Sequence, residues 1–413
     1  AKWSTIPLDK KQTSADMLTD QSGHYGVGDT VSYEVTSTIP KYDLDRYAAK
    51  PADPTFKLSD TMSVGLNGPA ATAITIQYEN PQGTWNTITP GTGANDVTVT
   101  INTRTSDSSN SGFVIDFTNW IKDQKIVGKN VKVTYTATIN KYASTGFDPN
   151  TNTAKVEYRP NPDSETTTIE DITYEYSFAV DGNIFGNWKE NGWELKKTGV
   201  GEYTKTVTDY IESEKAALAD AKFTIYREIK SGETKDDTLT VGTSTVDVKK
   251  LAAATDANPE LKGTNPYTTQ ADGRITFEGL NGDTTYYITE TEAPSGYSLN
   301  TEVTTVKFVV DDKDATTGKL KKYHVEVNGK TTLTYEVDTV DADGNPTAIK
   351  VDQGTIVIDN TTGELDVDQS TLGGTTEIKN TKLASLPSTG GMGTTIFTVA
   401  GCLIMIAAAG MFF

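Results

Sequence analysis

One cysteine occurs in 413 residues, Cys402, and it lies in an uncharged C-terminal stretch, so the polar part of the chain has neither thiol nor disulfide. Extracellular proteins of this size often rely on disulfides, and this one must hold together by other means. Histidine is nearly as scarce, with only His24 and His324. Two histidines, no thiol in the polar part and no glycine-rich phosphate loop leave little material for nucleophilic catalysis or nucleotide binding. No cofactor and no metal site is expected. Positive charge is also short: 37 Lys and Arg stand against 56 Asp and Glu, a net charge of −19. That balance argues against nucleic acid, whose binding needs clustered cations. It suits a secreted protein that stays soluble and free of anionic surfaces.

What is present is strand and turn. Thr, Val, Tyr and Ile alternate with polar residues in 30–38 (TVSYEVTST), 130–139 (NVKVTYTATI) and 304–310 (TTVKFVV), the period of half-buried strands. Turn residues punctuate them at Gly26-Val27-Gly28-Asp29, Asn80-Pro81-Gln82-Gly83, Asn281-Gly282-Asp283 and Asp343-Gly344-Asn345-Pro346. Helical periodicity is confined to a turn or two at 212–221, at 246–254 and around Trp120. The pattern predicts an all-β chain of two tandem immunoglobulin-like β-sandwiches. The Pro-rich polar run 159–168 (RPNPDSETTT) places a linker at 161–168, between a module at 1–160 and a second at 169–381.

Residues 382–413 form a tail of a different kind. Leu386-Pro387-Ser388-Thr389-Gly390 precedes 23 residues without a charge. Of these, 394–413 suffice to cross a hydrocarbon core of about 30 Å as a transmembrane helix. Pro387 holds the pentapeptide extended, where a membrane-bound transpeptidase can reach it. This arrangement resembles the LPxTG cell-wall sorting signal of Gram-positive surface proteins. The resemblance implies that a sortase cleaves between Thr389 and Gly390 and passes the Thr389 acyl group to an amine. The family pattern ends in basic residues and follows a signal peptide, so this chain, running from Ala1 to Phe413, is expected to be a fragment clipped at both ends.

A second resemblance lies in Tyr287-Ile288-Thr289-Glu290-Thr291-Glu292-Ala293-Pro294-Ser295-Gly296-Tyr297 and its approach, 272–280. These resemble the E-box of CnaB-type domains in sortase-assembled pilins. The family implies an amide cross-link between Lys197 and Asn380 promoted by the acid Glu290. At period two, Lys197 shares a face with Trp193 and Leu195, leaving Lys196 to solvent; Asn380 shares one with Ile378. The first module resembles the CnaA-type domain of the same pilins, which implies Lys10, the acid Asp60 and, on the closing strand, Asn152, with Asn140 as the alternative.

The chemistry explains the residue types. Burial disfavours the ammonium of Lys and the carboxylate of the acid alike, leaving an amine nucleophile beside a protonated acid that polarises the Asn carbonyl and moves protons as ammonia leaves. This is single-turnover chemistry, so the protein is not an enzyme. The expected function is a structural subunit of a covalently polymerised, cell-wall-anchored pilus that supports adhesion. Its expected partners are sortase, other pilin subunits and a peptidoglycan precursor, with a host surface ligand as a further candidate. Extracellular, cell-wall or pilus localisation follows. The alternatives are a monomeric wall-anchored adhesin and a wall-bound hydrolase. No motif supplies an evident acceptor lysine; Lys41, in Ile39-Pro40-Lys41-Tyr42, is a poor substitute. Asp341–Asn345 and Asp311–Asp314 read as solvated turns rather than calcium loops, and Trp188 and Trp193 as core anchors rather than a ligand-facing loop.

Overall fold

The computed structural model describes residues 5–182, 195–200, 219–271, 275–297, 299–351, 354–358, 365–367 and 376–381. Period-two alternation builds the first sandwich. In Thr30–Thr38, Asn130–Ile139 and Asn150–Tyr158 every second side chain is buried, as a sheet covered on one face requires. One sheet runs Leu8–Gln12, Thr30–Thr38, Asn130–Ile139, Thr75–Glu79, Trp85–Ile88. The other runs Met17–Thr19, Ser22–His24, Thr167–Tyr176, Asn150–Tyr158, Phe56–Met62, Ser111–Asp116, Thr98–Asn102. Val35, Val133 and Ile139 from the first sheet meet Leu58, Phe113 and Val156 from the second in one core.

The module boundary differs from the expected one. Residues 161–168 are no linker, because Thr167–Tyr176 pairs antiparallel with Asn150–Tyr158 from Thr167 through Glu175. The Pro-rich run is the turn of that hairpin, closed by Asn161, whose side chain accepts from the Asp163 amide. Proline and polar residues mark a turn inside a sheet as readily as a linker outside one. The first sandwich therefore extends to Tyr176, and Asn152 sits on its penultimate strand rather than its closing one.

The second sandwich begins at Phe178–Gly182. Its smaller sheet runs Ile275–Leu280, Phe178–Gly182, Leu195–Val200, Thr376–Thr381, the last three joined in parallel. The larger sheet places Lys222–Glu228 beside Thr285–Glu292 and continues through Thr304–Lys313, Leu320–Val327, Lys330–Val340 and Pro346–Val351 to shorter strands. Phe178 stacks on Phe308 across the two sheets, with ring centroids 5.1 Å apart. Phe147 and Tyr176 of the first module join this second core, Phe147 lying 5.1 Å from Tyr323. The Val27 amide donates to the Gly279 carbonyl, and His24 Nδ1 lies 2.8 Å from Asn281 Oδ1. The modules thus share a packed junction.

Helix is sparse. Thr118–Gln124, around Trp120, is helical as expected, and Leu44–Ala48 adds a short turn of helix. The helical reading of 246–254 is overturned: Ser244–Lys250 is a strand paired with Asp237–Val241, and the alternation Val246-Asp247-Val248-Lys249 is its signature. Most of 212–221 lies outside the described residues. The turn at 343–346 follows Lys330–Val340 as its residues predict, with Gly344 at φ 76°.

Candidate functional site

Three strands bring Lys10, Asp60 and Asn152 into one buried cluster. Lys10 follows the inward phase of an edge strand, with Gln12 its inward neighbour, and it is 0% exposed. Asp60 and Asn152 lie on adjacent strands of the facing sheet, where Asp60 is opposite Ala154 and Asn152 opposite Met62. That register makes them diagonal neighbours on one face. Lys10 Nζ donates to Asp60 Oδ2 at 2.6 Å. Tyr135, on Asn130–Ile139, completes the cluster. Its hydroxyl accepts from Lys10 Nζ at 2.5 Å and from Asn152 Nδ2 at 3.1 Å, and it donates to Asp60 Oδ2 at 2.6 Å. Asn140 lies apart, its amide donating to the Val64 carbonyl and its oxygen capping the Tyr142 amide.

Burial sets the charge states. It holds the Lys10 amine below the ordinary lysine range and pushes the Asp60 carboxyl up, each partly opposed by the other's charge. Asp60 Oδ1 and Asn152 Oδ1 are both buried and both lack a hydrogen-bond donor. Two orphaned acceptors carry a desolvation cost. Both shifts run toward the neutral pair, amine and carboxylic acid. A neutral lysine amine is a nucleophile, which an ammonium is not.

The alternation of the sequence did not single out two other polar residues here. Tyr135 shares its inward phase with Val131 and Val133, and nothing in the pattern separates a site tyrosine from a core one. Glu175 is fully buried on Thr167–Tyr176, where Gln12 Nε2 donates to its Oε1 at 2.9 Å. The sequence reading places residue 175 in the second module, away from this cluster. Burial raises its carboxyl to about 7.

In the second module Glu290 continues the inward face of Tyr286 and Ile288, is 6% exposed, and accepts from the Asn300 amide at 2.7 Å. It faces the core rather than a solvent cleft. Its strand belongs to the larger sheet. Lys197 and Asn380 lie on neighbouring parallel strands of the smaller one, with Lys197 opposite Ile378 and Gly199 opposite Asn380. The side chains of Lys196, Lys197 and Asn380 lie outside the described residues. So do Trp188, Trp193, residues 272–274 and the whole tail, including Leu386, Pro387, Ser388, Thr389 and Gly390. Among the described residues no group of three or more His, Cys, Asp or Glu side chains has metal-binding geometry, and no helix is long and apolar enough to cross a membrane. In the turn at 341–345, Lys319 Nζ donates to the Asp343 carbonyl at 2.6 Å and to Asn345 Oδ1 at 3.1 Å, placing an ammonium against those oxygens. Lys41 is exposed.

Comparison with known proteins bears on the second half first. The family described as SpaA, prealbumin-like fold domain, matches residues 204–324, and the LPXTG cell wall anchor motif matches 378–413. The trypsin-resistant surface T6 protein of Streptococcus pyogenes serotype M6 is 24% identical over 433 residues, covering 99% of this chain and 68% of that one. Among solved structures, the full-length major pilin RrgB of Streptococcus pneumoniae aligns over 92% of this chain and 75% of its own, at 13% identity and a TM-score of 0.48. The T6 backbone pilin of S. pyogenes aligns over 92% and 71%, at 19% identity and a TM-score of 0.46. The chain therefore carries a stretch similar to the prealbumin-like SpaA domain and a terminal LPXTG cell wall anchor motif, and it is similar over nearly its whole length to a Gram-positive surface protein.

Proposed function

We propose that each sandwich cross-links itself through an amide: Lys10 Nζ to Asn152 Cγ in the first module, with Asp60 as the promoting acid, and Lys197 to Asn380 in the second, with Glu290. The observation that carries this reading is the contact of Lys10 with Asp60 at full burial, with the Asn152 amide held beside both by Tyr135. Folding delivers amine, acid and amide together, and effective molarities of roughly 10⁵ M or more turn a sluggish amide exchange into a feasible one. On loop entropy each bond restrains the unfolded chain by about 5 kcal/mol. It also replaces the missing disulfides with a link indifferent to redox state. Tandem mass spectrometry of a digest tests the assignment. A Lys10 peptide joined to the Asn152 peptide is expected, and two separate, unmodified peptides would overturn it.

Between subunits, a sortase cleaves after Thr389 and transfers its acyl group to a lysine of the next subunit or, at the base, to a peptidoglycan precursor. Immunoblots of cell-wall extracts read this directly. An SDS-resistant ladder is the expected result, and a single band would mean a monomeric anchored adhesin instead.

A further inference from the structure

We propose that Tyr135 is a catalytic residue of the first module's cross-link, the proton shuttle from the attacking nitrogen to the leaving one; this rests on the Lys10–Asn152 amide proposed above. Its hydroxyl touches all three partners: 2.5 Å from Lys10 Nζ, 3.1 Å from Asn152 Nδ2 and 2.6 Å from Asp60 Oδ2. Asn152 Nδ2, the atom that must depart as ammonia, hydrogen-bonds to this hydroxyl. A carboxylic acid engaged with the carbonyl oxygen does not by itself serve the nitrogen on the other arm of the amide. The tyrosine oxygen sits between donor and acceptor of the proton that has to move.

The step balances without water or any added reagent. Lys10 Nζ forms a bond to Asn152 Cγ while the acid proton of Asp60 supports the carbonyl oxygen. The tetrahedral centre carries one proton too many on Nζ and one too few on Nδ2. The Tyr135 hydroxyl turns its proton from Asp60 Oδ2 to Nδ2 and gives it up there as its oxygen takes the proton from Nζ, the Cγ–Nδ2 bond breaks, and ammonia leaves. Tyr135 and Asp60 end as they began. Burial holds the phenol well above its ordinary range, so the two transfers proceed together rather than through a tyrosinate. The ring is fixed for this task, stacked on Tyr33 at 5.2 Å and edge-on to Phe113 at 4.9 Å.

The test follows cross-linking in the full chain after a pulse of cell-free synthesis in detergent, counting joined Lys10–Asn152 peptides by mass spectrometry in the folded, protease-resistant fraction. Tyr135→Phe keeps both ring contacts and removes the hydroxyl, and is expected to slow joining by about 10²-fold or more. Tyr33→Phe deletes the neighbouring hydroxyl, which is buried without a hydrogen-bond partner, and is expected to leave the rate unchanged. Joining at the wild-type rate in Tyr135→Phe, or equal slowing in both variants, would overturn the shuttle. No joined peptides in the wild-type chain would instead overturn the amide itself.

Discussion

Two oppositely charged groups taken fully out of water, as Lys10 and Asp60 are, either repay their desolvation by attraction or give up their charges. The proposed cross-link needs the second outcome, because its nucleophile is a neutral amine. Asp60→Ala is expected to abolish the Lys10–Asn152 joined peptide and leave Lys10 buried beside the Tyr135 hydroxyl without its acid. A cost of about 5 kcal/mol is expected in chemical denaturation, the loop-entropy worth of the lost cross-link. Glu175 makes a pH prediction. Its folded carboxyl titrates at about 7 against an ordinary 4.5. Between those values the folded chain keeps a proton that the unfolded chain has lost. Stability from this group is therefore full below the unfolded value and falls as pH rises toward 7, by roughly 3 kcal/mol in all. Denaturation at pH 5 and pH 8 checks it: Glu175→Gln should flatten that slope, and an unchanged slope would remove Glu175 from the account. At this scale the sequence was half legible. Lys10 and Asp60 were legible through the resemblance of their strands to the CnaA-type domain, whereas Tyr135 looked like any other core aromatic.

The strands that carry these residues depend on a close backbone approach at Gly112. A Cβ there would lie 2.0 Å from the carbonyl oxygen of Asp60, on the strand beside it. Gly112→Ala must push Phe56–Met62 aside, and a loss of about 1–3 kcal/mol is expected by analogy with overpacked cores. Slower cross-linking should accompany it, because Asp60 moves with its strand; a melting midpoint and joining rate both at wild type would contradict this. Individual strands were readable from alternation, as 30–38 and 130–139 show. Their grouping was not. The run 159–168 has the composition of a linker and the job of a hairpin turn, and only the pairing of Asn150–Tyr158 with Thr167–Tyr176 tells them apart. The short alternation at 246–249 belongs to a strand, and the Leu and Ala further on, which carry helix propensity, follow that strand's end.

For the whole molecule, the shifted boundary changes the path of force. Asn152 is not on the last strand, so the amide leaves Thr167–Tyr176 outside the closed loop, held by pairing with Asn150–Tyr158 and Ser22–His24. Pulling the chain by its ends should release at most about 80 Å from the first module, the extended length of the residues beyond Asn152 at about 3.5 Å each. An uncross-linked module would release about 500 Å or more on the same scale. Single-molecule extension separates the two, and a long release from the wild-type chain would contradict the cross-link. The most direct measurement is the intact mass of the folded chain. The account predicts a mass lower than the sequence requires by two molecules of ammonia, one per sandwich, with one of them restored in Asp60→Ala and the other in Glu290→Ala. A mass equal to that of the sequence would contradict it.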